Sequence, residues 1–102
     1  MPIITLTTDM GNSDYYTGAL RGGIWSRCAG VSVVDIATQV SPHDIKQGAY
    51  ILRHAYPYFP SGTIHILHIN APESHGDIVV AVHEGHHFIT FNNGSLPLIF
   101  GA

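Results

Sequence analysis

Charge is scarce in this sequence: Asp, Glu, Lys and Arg together make up 11% of its 102 residues. Only four are cations, and Arg21, Arg27, Lys46 and Arg53 are scattered rather than clustered. No basic run exists to neutralise a phosphate backbone, so nucleic acid is not an expected partner. Disorder is excluded too, because it needs low hydrophobicity with high net charge. Here hydrophobic residues reach 45% and the formal net charge is −3. Cysteine is limited to Cys28. No internal disulfide can form, oxidising export has no support, and the residue reads as a small buried filler at a helix end. Apolar runs approaching the ~18 residues of a membrane span are missing. The start, Met1-Pro2-Ile3-Ile4-Thr5, lacks the basic region and cleavage site of a signal peptide. The expectation is a cytoplasmic protein with no membrane partner. A chain this short has room for one small core, and so little charge points to surface covered by an oligomer or a second domain.

What is present has clear periodicity. Ile3-Ile4-Thr5-Leu6-Thr7-Thr8 is a β-branched run suited to a buried strand. After the turn and cap residues Asp9-Met10-Gly11-Asn12-Ser13-Asp14, the apolar set Tyr16, Ala19, Leu20, Gly23 and Ile24 recurs at helical spacing through Arg27. Gly22-Gly23 lowers helix propensity there, and close backbone packing is the expected reason. Val31 to Ile36 reads as a second strand. Ser41-Pro42-His43-Asp44 predicts a helix start with Ser41 as N-cap and Pro42 at N1. That helix should bury Ile45, Gly48, Ala49, Leu52, Ala55 and Tyr56, and stop in Tyr56-Pro57-Tyr58-Phe59-Pro60-Ser61-Gly62. Thr63 to Ile69 is the third strand. Asp77–His83 and His86–Phe91, joined by Glu84-Gly85, read as a hairpin, and Asn92-Asn93-Gly94 as a further turn. The fold class is therefore α/β: a mainly parallel sheet flanked by helices, β-α-β-α-β, followed by a β-hairpin. The apolar ending Leu96-Pro97-Leu98-Ile99-Phe100-Gly101-Ala102 reads as a piece of a longer chain, because a free terminus rarely exposes such surface.

Open parallel sheets bind ligands beyond the carboxyl ends of their strands. Those ends carry Asp9, Asp35 and Asn70, with Asp14 one turn along the first crossover. Converging oxygen-bearing side chains suit a ligand with hydroxyl groups such as a ribose, since a carboxylate accepts hydrogen bonds from two neighbouring hydroxyls. The same residues also suit helix caps and turns, and spacing alone leaves both readings open. The segment Gly11-Asn12-Ser13-Asp14 lacks the glycine spacing of a dinucleotide fingerprint and the ending of a P-loop, so no diphosphate cradle is present. His83-Glu84-Gly85-His86-His87 fits H-E-x-x-H, which holds zinc only on a helix. Its strand-like flanks and central glycine read instead as solvated hairpin histidines, and no metal is expected. His65 and His68, three apart on a strand, point to opposite faces. His54 reads as surface; Tyr56, Tyr58 and Phe59 read as packing at the sheet edge.

Several blocks occur together in order: Ile4-Thr5-Leu6-Thr7-Thr8-Asp9-Met10-Gly11 with Asp14, Val34-Asp35-Ile36, Ser41-Pro42-His43-Asp44-Ile45, Gly48-Ala49-Tyr50, and Tyr58-Phe59-Pro60-Ser61-Gly62-Thr63-Ile64-His65. Asn92-Asn93-Gly94-Ser95-Leu96 follows them. With these blocks the chain resembles the amino-terminal domain of the S-adenosylmethionine hydroxide adenosyltransferases, kin of the fluorinases and chlorinases. The resemblance spans nearly the whole chain but less than half of a typical member, whose carboxy-terminal β-rich domain is absent here. It implies residues 1–102 as one such domain, and displacement of methionine from the ribose C5′ of S-adenosylmethionine by water, with no cofactor. It implies a homotrimer binding its small-molecule ligand between subunits. By the same resemblance Asp9 holds the ribose hydroxyls, Asp14 follows it in the same block, and His43 stands beside the substrate. One departure matters. Hydrolase-type relatives carry an Asp-Pro-Gly-Val-Gly stretch after the third strand, whose Asp helps position the water. Here that stretch reads Asn70-Ala71-Pro72-Glu73-Ser74-His75. Asn70 stands at the Asp position, and His75 and Asp77 are the nearest candidates for the Arg that follows. An amide can hold a water but cannot take its proton. The alternative to an enzyme is accordingly a catalytically inactive nucleoside-binding or structural relic of that family.

Overall fold

A computed structural model describes residues 2–11, 15–69, 77–91 and 94–101. Its element order is β1 (Ile3–Thr8), α1 (Tyr16–Arg27), β2 (Ser32–Ala37), α2 (Ile45–Ala55), a 3₁₀ turn (Tyr56–Tyr58), β3 (Ile64–His68), β4 (Ile78–His83), β5 (His86–Phe91) and α3 (Ser95–Phe100). The strands form one five-stranded sheet in the order β2-β1-β3-β5-β4. β1 pairs in parallel with β2 and with β3, and β3 in parallel with β5. β4 closes the edge antiparallel to β5. The expected α/β architecture is the one observed, and the hairpin does more than extend it. Its second strand enters the sheet beside β3, and its first becomes the edge.

Side-chain alternation divides the sheet into two faces. One face carries Thr5, His65, Leu67 and Phe88 toward α2 and α3, where Val40, Ala49, Leu52, Tyr56, Ile69 and Ile99 complete the core. α2 follows its predicted period, burying Gly48, Ala49 and Leu52. It lies so close to β3 that a Cβ on Gly48 would meet Ile69 Cδ1 at 2.9 Å. The apolar ending is only partly packed, with Leu98 still 41% exposed. It forms α3, with Ile99 buried and the Phe100 ring stacked on His83 at 4.2 Å.

Several expectations need correction. α2 begins at Ile45 rather than beside Ser41, because Asp44 is the N-cap and its carboxylate accepts from Gln47 N–H at 3.0 Å. The Gln47 side chain reaches back to Ser41 N–H at 2.7 Å, a variant of the capping box. On α1 Thr17 is the buried residue, while Ala19, Leu20, Gly23 and Ile24 of the predicted stripe line an open groove of about 400 Å³ with Ile4 and Cys28. Gly22 and Gly23 have nothing within 4 Å of where a Cβ would sit, so close packing does not explain them. Cys28 is exposed rather than buried, because α1 stands off the sheet at that end. Tyr58 is 91% exposed, while Tyr56 alone of its pair enters the core.

Candidate functional site

The site begins where β1 ends. Strand order reverses about β1, with β2 on one side and β3 on the other, and such a reversal opens a crevice at the carboxyl end of the strands. The loop leaving β1 is fixed by backbone contacts to the segment after β2. Gly11 N–H donates to Thr38 O at 2.5 Å and Val40 N–H to Thr8 O at 3.2 Å. The Thr17 hydroxyl, from the first turn of α1, donates to Gly11 O at 2.6 Å. Register also slips between Leu6 and Thr7 against β2, so that Thr7 faces Ala37 and Ile36 is passed over. Together these place Asp9 at the mouth of the crevice.

Asp9 Oδ2 accepts a hydrogen bond from His43 N–H at 3.0 Å. His43 has φ +63, a left-handed conformation uncommon outside glycine. The backbone strain turns the His43 amide toward the carboxylate, and strain of this kind collects at functional sites. Asp9, Met10, Tyr16, Pro42, His43 and His68 line a cavity of about 490 Å³. That volume lies within the range of small-molecule sites. The carboxylate is neither turned into the core nor engaged only with its own backbone, so two of the expected site residues, Asp9 and His43, converge.

Asp14, Asn70 and His75 lie outside the described residues. Asp35 does not join the cavity. It sits before the end of β2, and its carboxylate is paired with Arg21 of α1. Pairing with Leu6 puts it on the α1 face, within reach of that guanidinium. His68, read from the sequence only as a strand residue facing away from His65, also lines the cavity. Its placement at the end of β3 was the available signal.

The hairpin histidines also differ from expectation. His83-Glu84-Gly85-His86 is strand, turn and strand, as the glycine indicated. However, His86 is buried rather than solvated. Its Nδ1 is 3.1 Å from His65 Nε2, and His65 Nδ1 is 2.7 Å from Thr5 Oγ1. Burial, with the neighbouring His86, pushes His65 down to about 4. Burial also lowers His86, against the opposing pull of Glu84. Tyr56 donates to Glu84 Oε1 at 2.7 Å, and that bond, with burial, raises the phenol. Among the described residues no three His, Cys, Asp or Glu side chains converge as a metal site would need. This network lies in the core by the hairpin turn, away from the Asp9 cavity.

Comparison with known proteins follows the same lines. Residues 4–102 match the family model described as the SAM hydroxide adenosyltransferase N-terminal domain. An (R)-S-adenosyl-L-methionine hydrolase of Methanocaldococcus jannaschii is 33% identical over 100 residues, covering 92% of this chain and 38% of the relative. A fluorinase of Actinoplanes sp. is 33% identical over 63 residues, covering 62% of this chain and 21% of that protein. The chain thus spans about two fifths of the length of the hydrolase it matches. Among solved structures, a conserved hypothetical protein of Thermus thermophilus superposes with TM-score 0.82 at 25% identity, over 98% of this chain and 42% of its own. An uncharacterized conserved protein of Thermotoga maritima gives TM-score 0.86 at 23% identity, over 97% of this chain and 38% of its own, and speaks for the fold alone.

Proposed function

Because this chain belongs to the S-adenosylmethionine hydroxide adenosyltransferase family, through its amino-terminal domain, we propose that the Asp9 cavity binds the ribose of an adenosyl ligand. The reaction it serves is cleavage of S-adenosylmethionine by water to adenosine and methionine. The observation that carries this reading is the Asp9 carboxylate, held by His43 N–H at the mouth of a cavity of about 490 Å³. A carboxylate in that position accepts hydrogen bonds from vicinal hydroxyls. Asp14 and His43 belong to the same binding side, and Asn70 and His75 to the water side, by their places in the family motifs.

In the reaction the water oxygen forms a bond to C5′ opposite sulfur. The C5′–S bond breaks with its electron pair going to sulfur, and one proton is released. The sulfonium is already a good leaving group, so neither metal nor cofactor is required. The protein's tasks are alignment and removal of water from the nucleophile. The proposal includes residues 1–102 as the amino-terminal domain of a cytoplasmic homotrimer with ligand held between copies. Exposed Ile78, Val80 and Val82 on β4 support association, and sedimentation as a monomer at micromolar concentration would count against it.

Asn70 favours a second reading, nucleoside binding without turnover, because its amide cannot accept the proton of water. Calorimetric titration with adenosine and chromatographic assay of adenosine release from S-adenosylmethionine separate the two. Adenosine binds the folded chain, and Asp9→Ala weakens it roughly tenfold or more, the loss expected for charge-assisted hydrogen bonds. Release of adenosine selects the enzyme; binding without release selects the second reading. A folded chain that ignores adenosine overturns the ribose assignment.

A further inference from the structure

The loop before α2 holds one main-chain amide in a conformation that its own side chain resists. His43 has φ +63, a region that residues other than glycine enter at a cost. Gln47, in the first turn of α2, grips the loop on both sides of it. The Gln47 side-chain Oε1 accepts from Ser41 N–H at 2.7 Å, and Gln47 N–H donates to the Asp44 carboxylate at 3.0 Å. Asp44 N–H also donates to Ser41 O at 3.0 Å, closing the turn around Pro42 and His43. Within that clasp His43 N–H reaches Asp9 Oδ2 at 3.0 Å. None of these bonds uses the imidazole, which belongs to an exposed residue of the cavity lining. The donor is set by α2, before any ligand arrives.

A carboxylate turns readily about its terminal torsion, whose wells are broad. Gripping two vicinal hydroxyls together requires one orientation of its plane, and the loss of that freedom opposes binding. A fixed donor on Oδ2 removes the freedom in advance. An ionised carboxylate offers about four acceptor positions, so the bond from His43 is compatible with accepting from hydroxyls as well. We propose that His43 serves this site through its main-chain amide and not its imidazole. By holding Asp9 Oδ2 it fixes the plane of the carboxylate, and the fixed plane makes the site select a ribose over a sugar without the two hydroxyls. This rests on the ribose reading of Asp9 and adds a positioning residue to it. Gln47, outside the lining of that cavity, acts on Asp9 only through the loop it clasps.

The test compares adenosine with 2′,3′-dideoxyadenosine, which lacks both hydroxyls, by calorimetric titration of the full chain and its variants, each checked for folding by circular dichroism. The native chain prefers adenosine by about tenfold or more, as charge-assisted hydrogen bonds to Asp9 require. Asp9→Ala abolishes the preference. His43→Val, whose β-branched side chain disfavours positive φ, lowers adenosine affinity by about 3- to 10-fold, the range of one net hydrogen bond. It leaves dideoxyadenosine affinity unchanged. Added to Asp9→Ala it alters neither affinity, because its effect runs through the carboxylate. His43→Gly, which reaches positive φ without strain, restores the native preference although it has no ring. A separate readout needs no change at position 43: exchange of the His43 amide hydrogen quickens about tenfold or more in Asp9→Ala. Three results overturn the assignment to the amide and leave the ribose reading standing: His43→Gly loses adenosine as badly as His43→Val, both variants bind as the native chain does, or amide exchange ignores Asp9→Ala. If the native chain binds neither nucleoside, or binds both alike, the ribose reading fails and His43 falls with it.

Discussion

His65 sits in the core with no solvent exposure, bonded on one side to Thr5 and on the other to His86. Tyr56 and Phe59 meet it edge-on, and Phe88 stacks on it at 5.2 Å. Burial holds its folded-state value near 4 against an unfolded 6.5. Between those values the unfolded chain binds more protons, so stability rises with pH. Stability should be fully present above about pH 6.5, fall as pH drops through that value, and level off near pH 4. A shift of this size corresponds to about 3 kcal/mol, shared with the coupled His86. Urea midpoints measured across that range check it. His65→Phe should flatten the slope, and an unchanged slope would place the acid sensitivity elsewhere. None of this was legible in the sequence. Strand alternation separates His65 from His68, but which face is dry depends on α2, and burial of His86 depends on β5 entering beside β3.

Among the elements, α2 and α1 behave differently for a reason that can be tested. α2 has an apolar stripe, a side-chain N-cap and basic Arg53 and His54 in its last turn, which complement the helix dipole. Asp44→Ala should lower stability by about 1 kcal/mol. Ser41→Ala should change it by less than about 0.5 kcal/mol, because the hydroxyl is not the cap. The reverse order in chemical denaturation would return the helix start to Ser41. Two overlapping cap signals stood in the sequence, Ser41 with Pro42 and Asp44 with Gln47. The second prevails because His43 adopts φ +63 to present its amide to Asp9. α1 has no side-chain cap bond and buries only Thr17, so its periodic pattern marked a helix correctly but not a packed face. The Glu84-Gly85 turn was the plainest local signal. Both residues have positive φ, 52 and 81, as a two-residue hairpin requires.

Across the sheet as a unit, the two faces are unequally covered. α2 and α3 close one, whereas on the other Ile78, Val80 and Val82 of β4 remain 65–66% exposed. In the unassociated chain Val80→Thr should alter stability by less than about 0.5 kcal/mol. Phe88→Ala, on the covered face, should cost about 3–5 kcal/mol. Thermal or urea unfolding distinguishes them, and a large loss from Val80→Thr would mean that the outer face is covered in solution.

Period, turn chemistry and strand-end position were enough to give the α/β order, the hairpin and the place of Asp9 at the mouth of the crevice. Those signals are local, carried by neighbours in the chain. Asp9 was legible because the carboxyl end of a first parallel strand opens onto the crevice whatever the loops do. The pairing of Asp35 with Arg21 and the buried His65–His86 pair had no such signal. Each depends on which residues from distant segments meet, and on how much water their packing leaves between them.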